Sequence, residues 1–389
     1  MSDPAVLFTI TEAELDTGLR GVPVGTCMTS DVDPQTGVSY VGYPISDLYD
    51  LEPEAVVYLL FNKELPTAEQ LAVFQGELRG RMGMPAEALA ALKALPTSGH
   101  PMEWFINGLT LLGMTGKTGK YDQDALNAVA WVPELVAAIF RIKSGWGEPI
   151  APRKDLGLVE NFVYMLGMPN ADTERLTQVL RSFYVLHMDH GGGNLSTFTG
   201  RAVASGLADM YASLAASMAA LYGPLHGRAN QDCLNFVRSV GTSDPVEVEK
   251  FVRANIASGK VVYGFGHAVL RNEDPRATIQ YALGNAICPT DPLFATANTL
   301  RTVANKVLTE LGKVKNPYPN VDAVSGTLLN AVGLTDSAFY TVLFGLSRCT
   351  GIAAQIVDER LKMRNGKGVA IYRPDYLAKN QPPRRLHKA

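Results

Sequence analysis

The chain has 389 residues, 47% hydrophobic and 19% charged, enough apolar material for a large core and for two domains rather than one. Its 35 Lys and Arg against 38 Asp and Glu leave a net charge of -3, which excludes the broad basic field that drives nucleic-acid binding and leaves any anionic ligand to local arginines. No apolar run reaches the roughly 18 residues of a membrane span, and Met1-Ser2-Asp3-Pro4 has the character of neither a signal nor a transit peptide. Cys27, Cys233, Cys288 and Cys349 are too scattered for a zinc knuckle or a disulfide framework. A cytoplasmic globular protein with reduced thiols is expected.

In chain order, strand signals are confined to the first 50 residues. They are Leu7 to Ile10 and the β-branched and aromatic run Val38 to Ile45, separated by the turn chemistry of Asp31-Val32-Asp33-Pro34, which predicts a small β ribbon. From Pro53 onward apolar residues recur at three- and four-residue spacing, predicting helices over Glu54 to Phe61, Thr67 to Met82, Ala86 to Leu95 and Pro101 to Leu112. Pro133 opens a helix to Ser144, Leu156 to Leu166 follows, and Asp172 caps a helix running to Leu186. Tyr211 to Tyr222, Val246 to Ser258, Pro275 to Ala286, Pro292 to Leu311, Gly326 to Ala331 and Ser337 to Met363 complete an all-α architecture. Strand content is too low for a parallel sheet. No internal repeat or low-complexity linker marks a boundary, so the breakers Gly223-Pro224 and Ser325-Gly326 delimit a smaller domain, 226–326, inserted into a larger helical body formed by 1–225 and 327–389. The tail Pro382 to Ala389 is basic, as many solvated termini are.

Gly223-Pro224-Leu225-His226-Gly227-Arg228-Ala229-Asn230-Gln231 ends one apolar helix and starts another. Gly223 suits a left-handed helix stop and Pro224 a helix start. His226 then lies near a helix N-terminus, where the dipole disfavours imidazolium and a neutral, hydrogen-bond-donating imidazole is expected. Of six histidines, His187, His190, His226 and His267 cluster between residues 187 and 267 beside turn formers. Singly each is ordinarily a satisfied structural group, as His187 on its helix end is expected to be.

Two nucleotide-like motifs fail on context. Gly116-Lys117-Thr118 has Leu111 where a P-loop needs glycine, and Gly264-Phe265-Gly266 has Val269 where a dinucleotide fingerprint needs its third glycine. His187 and His190 have no further metal ligands at ordinary spacing. Beside His267 lie Arg271 and Arg276, and further on Asp322 follows Lys313, Lys315 and Asn320. Arginines near turn-placed histidines suit a small polyanion. A carboxylate with histidine donors is a set for removing a proton α to a carbonyl and holding the developing enolate oxygen.

Three stretches carry a specific resemblance: Gly-Pro-Leu-His-Gly-x-Ala-Asn-Gln, Gly-His-Ala-Val-Leu-Arg-x-x-Asp-Pro-Arg, and Lys-Asn-Pro-x-Pro-Asn-Val-Asp-Ala-x-Ser-Gly. In this order the chain resembles the citrate synthases, closely those of the mitochondrial type. The likeness extends through Asp189-His190-Gly191-Gly192-Gly193-Asn194-Leu195-Ser196 and Tyr340 to Arg348. It implies an almost wholly helical two-domain homodimer that condenses acetyl-CoA with oxaloacetate and hydrolyses the citryl thioester, with acetyl-CoA as co-substrate and neither a permanently bound cofactor nor a metal.

The resemblance assigns Asp322 as the base at the acetyl-CoA methyl, His226 as donor to the thioester oxygen and His267 as the group polarising the oxaloacetate ketone. His190, Asn194, Arg276 and Arg348 match the oxaloacetate site, with Arg373 as an arginine lent by the partner subunit after a short insertion around Arg364 to Gly368. Val261, Val262, Gly264, Arg271, Lys313, Lys315 and Asn320 match the coenzyme A region. The chain departs from the family at Gly191, where Glu is frequent, at Val324, where mitochondrial members have His, and at Val41, where an arginine is usual. The last removes one coenzyme A phosphate contact. A 2-methylcitrate synthase using propionyl-CoA is the nearest alternative, since one methylene is discriminated by only about 1–3 kcal/mol. A catalytically silent acyl-CoA-binding protein is the other, and it gives no reason to keep Asp322, His226 and His267 together.

Overall fold

The structure, a computed structural model, describes residues 5–377; the basic tail lies outside them. Three short strands, β1 (Ser30–Asp33), β2 (Gly37–Tyr40) and β3 (Tyr43–Pro44), form an antiparallel sheet in the order β1-β2-β3. The expected strand at Leu7 to Ile10 does not form. These side chains are exposed and no neighbouring strand offers them a ladder, without which β-propensity has nothing to act on. Conversely, Asp31 to Asp33 lies within β1, and only Asp33 serves the turn, its Oδ1 accepting from Gln35 N and Thr36 N at 2.8 Å each.

Fifteen α-helices account for most of the described residues: α1 (Pro53–Asn62), α2 (Ala68–Arg81), α3 (Ala86–Lys93), α4 (Pro101–Gly116), α5 (Tyr121–Ser144), α6 (Leu158–Leu166), α7 (Thr173–His187), α8 (Leu195–Ser205), α9 (Met210–Leu221), α10 (Ala229–Val240), α11 (Pro245–Ala257), α12 (Pro275–Ile287), α13 (Pro292–Leu311), α14 (Asp322–Ala331) and α15 (Tyr340–Val357), the last running into a π-helical turn at Asp358–Lys362. The architecture is all-α, as expected.

Local chemistry explains most helix starts. Thr67 and Gln70 make a capping box, Asp172, Asp209, Asp244, Asp274 and Asp291 cap with their carboxylates, and proline opens α1, α4, α11, α12 and α13. Pro133 is the exception: it lies inside α5 instead of opening a helix. A lost helical hydrogen bond and ring clash cost about 3 kcal/mol, and the ring is buried in a pocket with Leu158, Phe162 and Leu343, contacts that offset that loss.

Helices α5 and α15 run through the core and are buried on nearly every side. Segments within Tyr121–Ser144 and Ser337–Lys362 have mean hydropathies of 1.5 and 1.2, enough by length and composition to cross a membrane, yet 89% and 94% of those windows are buried inside the protein. These two helices correct the expectation that no apolar run of this length occurs, and charged residues along them, such as Glu134, Arg141 and Arg348, are themselves buried.

Helices α10 to α14 pack mainly on one another and touch the remaining body through α7, α15 and the short 3-10 turns Ile45–Asp47 and Ser337–Phe339. Gly223-Pro224 falls in the turn between α9 and α10, whereas Ser325 and Gly326 are inside α14. There a Cβ on Gly326 would stand 2.6 Å from Asn230 Oδ1; the glycine permits close α10–α14 packing and does not break the chain.

Candidate active site

His226 lies in the turn before α10 and is half-buried. Gly227 closes that turn, its N–H donating to Leu221 O at 2.9 Å, where a side chain would collide with the same carbonyl. Gly223 is not left-handed. The helix terminus acting on His226 is that of α8 and not of α10: Ser196 N–H donates to His226 Nε2 at 3.1 Å, with Ser196 Oγ 2.9 Å away. A backbone N–H can only donate, so Nε2 accepts and the proton resides on Nδ1. Burial, followed by the charge of Arg348, lowers the His226 pKa to about 4, leaving a neutral imidazole with a free N–H.

His267 reaches the same state by a different route. Its Nδ1 accepts from Val269 N at 3.1 Å and Leu270 N at 2.9 Å, which assigns the proton to Nε2. Burial and then Arg276 bring its pKa to about 4. The segment before it is pinned to the approach to α14. Phe265 bridges Pro319, Gly266 N donates to Tyr318 O, and Asn320 N donates to Gly264 O. Gly264 has φ +81°, and a Cβ there would stand 2.7 Å from Ala323 Cα and 2.8 Å from Cys233 Sγ, so only glycine lets this segment approach α14. Asn320 completes the join, with Nδ2 donating to Gly266 O at 2.9 Å and Oδ1 accepting from Asp322 N at 3.0 Å.

Asp322 is therefore the first residue of α14, one turn earlier than the helix start expected from sequence. Burial raises its pKa to about 6 against the opposing charge of Arg276. The pull of the α14 N-terminus on a carboxylate does not prevent that rise.

Arg348, on α15, is 2% exposed. Its Nε donates to His187 O at 2.9 Å and its guanidinium lies over the Phe344 ring. Among the described residues no carboxylate pairs with it, and its terminal nitrogens have no protein acceptor. Burial lowers its pKa to about 10, still charged at neutral pH. Arg276, equally buried, is held by Asp274, with Nε at 3.0 Å and one terminal nitrogen at 2.7 Å. Burial works against its charge and the ion pair outweighs it. His190 completes the group, its ring centroid 5.7 Å from that of His267. Burial, Arg276 and Arg348 hold its pKa well below the ordinary histidine value.

His190, His226, His267 and Asp322 each feel the charge of Arg276 or Arg348. Arg373 is exposed on the C-terminal segment, with no recorded contact to that group. Asn194 is a cap: its Nδ2 donates to His190 O and Gly191 O, and its Oδ1 accepts from Thr197 N and Ser196 Oγ. Both ends of the amide are occupied within the protein, so Asn194 shapes the loop and braces Ser196. Of the expected coenzyme A residues, Val261, Arg271, Lys313 and Lys315 are exposed and Val262 is buried. Gly264 and Asn320 serve the loop junction.

Several supporting groups escaped sequence reading. Asp189 is wholly buried and accepts from Ser30 Oγ, Thr29 Oγ1, His190 N and Gln355 Nε2. It binds the sheet, α15 and the His190 loop together. Helix α8, which carries Ser196, was missed altogether because its small and polar residues lack an apolar repeat. Asp274 caps α12 and in the buried site also grips the Arg276 guanidinium.

The model of the family described as "Citrate synthase, C-terminal domain" matches residues 18–375. The chain is 38% identical to mitochondrial citrate synthase 4 of Arabidopsis thaliana over 386 residues, covering 92% of this chain and 80% of that protein. It is 36% identical to the peroxisomal citrate synthase of Saccharomyces cerevisiae over 388 residues, covering 92% and 82%. Its fold matches citrate synthase from Thermotoga maritima with a TM-score of 0.82 and 28% identity, covering 95% and 97%. The Thermoplasma acidophilum enzyme, solved with carboxymethyl coenzyme A and oxaloacetate, shares the fold with a TM-score of 0.84 at 24% identity, covering 95% and 97%. These relatives correct the expectation of a cytoplasmic location, since the similar proteins are mitochondrial or peroxisomal. Charge and cysteine usage do not distinguish such compartments, because one fold serves in each of them.

Proposed function

The chain belongs to the citrate synthase family, acyltransferases that condense acetyl-CoA with oxaloacetate, and from that premise we propose that this site carries out the condensation and the hydrolysis of the citryl thioester that follows. The supporting observation is Arg348, a buried guanidinium with no carboxylate of its own. Leaving a buried charge unpaired costs several kcal/mol, and a dianionic substrate relieves that cost. One oxaloacetate carboxylate takes Arg348. The other takes the free nitrogen of Arg276, with His190 between them, and Arg373 of a second copy completes the clamp. The reading therefore includes a homodimer.

The His267 Nε2–H then faces the ketone oxygen, and the His226 Nδ1–H faces the thioester oxygen of acetyl-CoA. Asp322 removes a methyl proton, and the enolate carbon bonds to the ketone carbon as the C=O π pair moves onto oxygen; that oxygen takes the Nε2 proton of His267 and stays in the product as a hydroxyl. Water cleaves the citryl thioester, releasing coenzyme A as a thiol. Two neutral donors suit this work: each stabilises a developing oxyanion without first surrendering a proton, a kind of contact worth about a hundred- to a thousandfold in rate. Arg271, Lys313 and Lys315 line the exposed approach for the coenzyme A phosphates, with Val261, Val262 and the Gly264–Asn320 junction shaping its inner end.

Helices α10 to α14, with the turn carrying His226, form the smaller unit in this reading, and its closure on oxaloacetate excludes water before acetyl-CoA reacts. Entry into the tricarboxylic acid cycle is the corresponding metabolic role. Thiol release from acetyl-CoA with oxaloacetate, absent when either is omitted, is the expected result. A larger kcat/KM with propionyl-CoA would replace the reading with a 2-methylcitrate synthase, and no thiol release from either would overturn it.

A further inference from the structure

The C-terminal segment that carries Arg373 is tied down by a buried polar cluster on its own protomer. Tyr372 N donates to Ser205 Oγ at 3.0 Å at the end of α8, and its ring meets Phe198 edge to face at 5.8 Å. Its hydroxyl donates to Glu359 Oε1 at 3.1 Å. Glu359, 1% exposed, is paired with Arg201, 5% exposed, at 2.7 Å. Arg201 also donates to Thr26 O at 2.7 Å and Gln355 Oε1 at 3.2 Å. Through Gln355 the chain reaches Asp189 Oδ1 at 2.8 Å, and that same oxygen accepts from His190 N.

This is a costly arrangement for an exposed chain end. A buried Arg–Glu pair is weak evidence of net stabilisation, because desolvation consumes much of the attraction. Here Glu359 Oε2 and Arg201 Nε are buried without partners, so the cluster is under-satisfied even with Tyr372 in place. Glycine on two sides leaves room for it. A Cβ on Gly192 would collide with Arg201, and one on Gly25 would stand 3.3 Å from the Tyr372 hydroxyl. The residue held by the cluster is immediately followed by the exposed Arg373 and then by Pro374, whose ring restricts the backbone.

We propose that Tyr372 is a positioning residue for Arg373: the Arg201–Glu359 pair fixes its ring and so sets the direction in which Arg373 leaves the protomer. The inference rests on the reading of Arg373 as the arginine lent to a second copy's oxaloacetate. Because Gln355 and Asp189 continue the cluster to the His190 loop, the lent arginine and the protomer's own carboxylate site share one support.

The test is a double-mutant cycle on the full dimeric protein, reading oxaloacetate KM, acetyl-CoA KM and thermal midpoint. Tyr372→Phe keeps the ring and removes its bond to the carboxylate, a charged hydrogen bond whose loss predicts about a tenfold rise in oxaloacetate KM with acetyl-CoA KM within twofold. Arg373→Leu alone raises oxaloacetate KM further. Adding Tyr372→Phe to Arg373→Leu changes it no more, because the tyrosine acts through the arginine. If Tyr372→Phe leaves oxaloacetate KM unchanged while Arg373→Leu raises it, the positioning role is overturned and the lent arginine stands. If the two effects multiply in full, Tyr372 acts elsewhere and the proposal also falls. If Arg373→Leu itself has no effect, the lent-arginine reading fails and this inference with it. Ser205→Ala, which removes the acceptor of the Tyr372 N–H, is the second variant. A smaller rise in oxaloacetate KM is expected, and a drop in thermal midpoint with no KM change in both variants identifies a purely structural cluster and overturns the proposal.

Discussion

At the scale of single residues, the acid-base assignment turns on Asp322, whose pKa is raised to about 6 while His226 and His267 are brought to about 4. Between about pH 5 and 8 only Asp322 among the three changes charge. The acid limb of the kcat/KM profile is therefore expected near pH 6, with activity lost as the base protonates; a limb no higher than that of an ordinary carboxylate counts against it. Asp322→Asn should lower kcat by about a hundred- to ten-thousandfold while oxaloacetate binding, measured by calorimetry, stays within a few-fold. Stability moves the other way. A carboxyl whose folded pKa lies above its unfolded one makes the native state bind the extra proton, so its ionisation costs stability as pH rises from about 4 to 6. Asp322→Asn is thus expected to raise the thermal midpoint more at pH 8 than at pH 4, and an equal effect at both would contradict the shift.

At the scale of elements, the site is a set of chain ends held at short range. The α8 N-terminus orients His226, the α14 N-terminus carries Asp322, and the 264–266 segment binds α14 to the loop of His267. Gly264 is a tight point of this assembly. Gly264→Ala puts a methyl against Ala323 Cα in a backbone geometry that L residues rarely adopt, which must displace α14 or the His267 loop. The expected result is a kcat loss of more than tenfold, since about 1 Å of misplacement can cost a hundredfold, together with a lower thermal midpoint. Wild-type turnover in a normally folded Gly264→Ala protein would show that this junction does not position the base.

At the scale of the whole molecule, the buried clamp arginines and the exposed Arg373 divide the proposed site between two copies. An Arg373→Leu homodimer should bind oxaloacetate poorly and an Asp322→Asn homodimer should turn over poorly. Their heterodimer then contains one site with both defects and one with neither, as twofold symmetry requires. Co-expression under separate tags, followed by purification of the mixed dimer, should restore roughly half of wild-type turnover per dimer if the sites are independent. A mixed dimer as inactive as its parents would place Arg373 outside the partner's site. Closure is a second whole-molecule expectation: small-angle scattering should give a smaller radius of gyration with oxaloacetate than without, and an identical profile would leave α10 to α14 without a hinge role.

The amino-acid sequence by itself determined the all-α class and most helix starts, because proline at N1 and aspartate caps act within a single turn and their effect survives in any surroundings. It also singled out the candidate acid-base residues, since Asp322, His226 and His267 occupy short motifs whose resemblance to the citrate synthases needs no folding to be read. The tertiary structure decided what depends on neighbours distant in the chain. Only burial in the folded protein raises the Asp322 pKa to about 6 against the charges of Arg276 and Arg348, and only the meeting of α8 with the 223–228 turn assigns the His226 proton to Nδ1. Pro133 stays helical because Leu158, Phe162 and Leu343 surround it, and Leu7 to Ile10 forms no strand because no second strand lies beside it. Asn194 and Asn320 were legible as polar residues near the substrates, but the hydrogen bonds that turn both into internal braces exist only once residues far apart in sequence have been brought within 3 Å or so of each other.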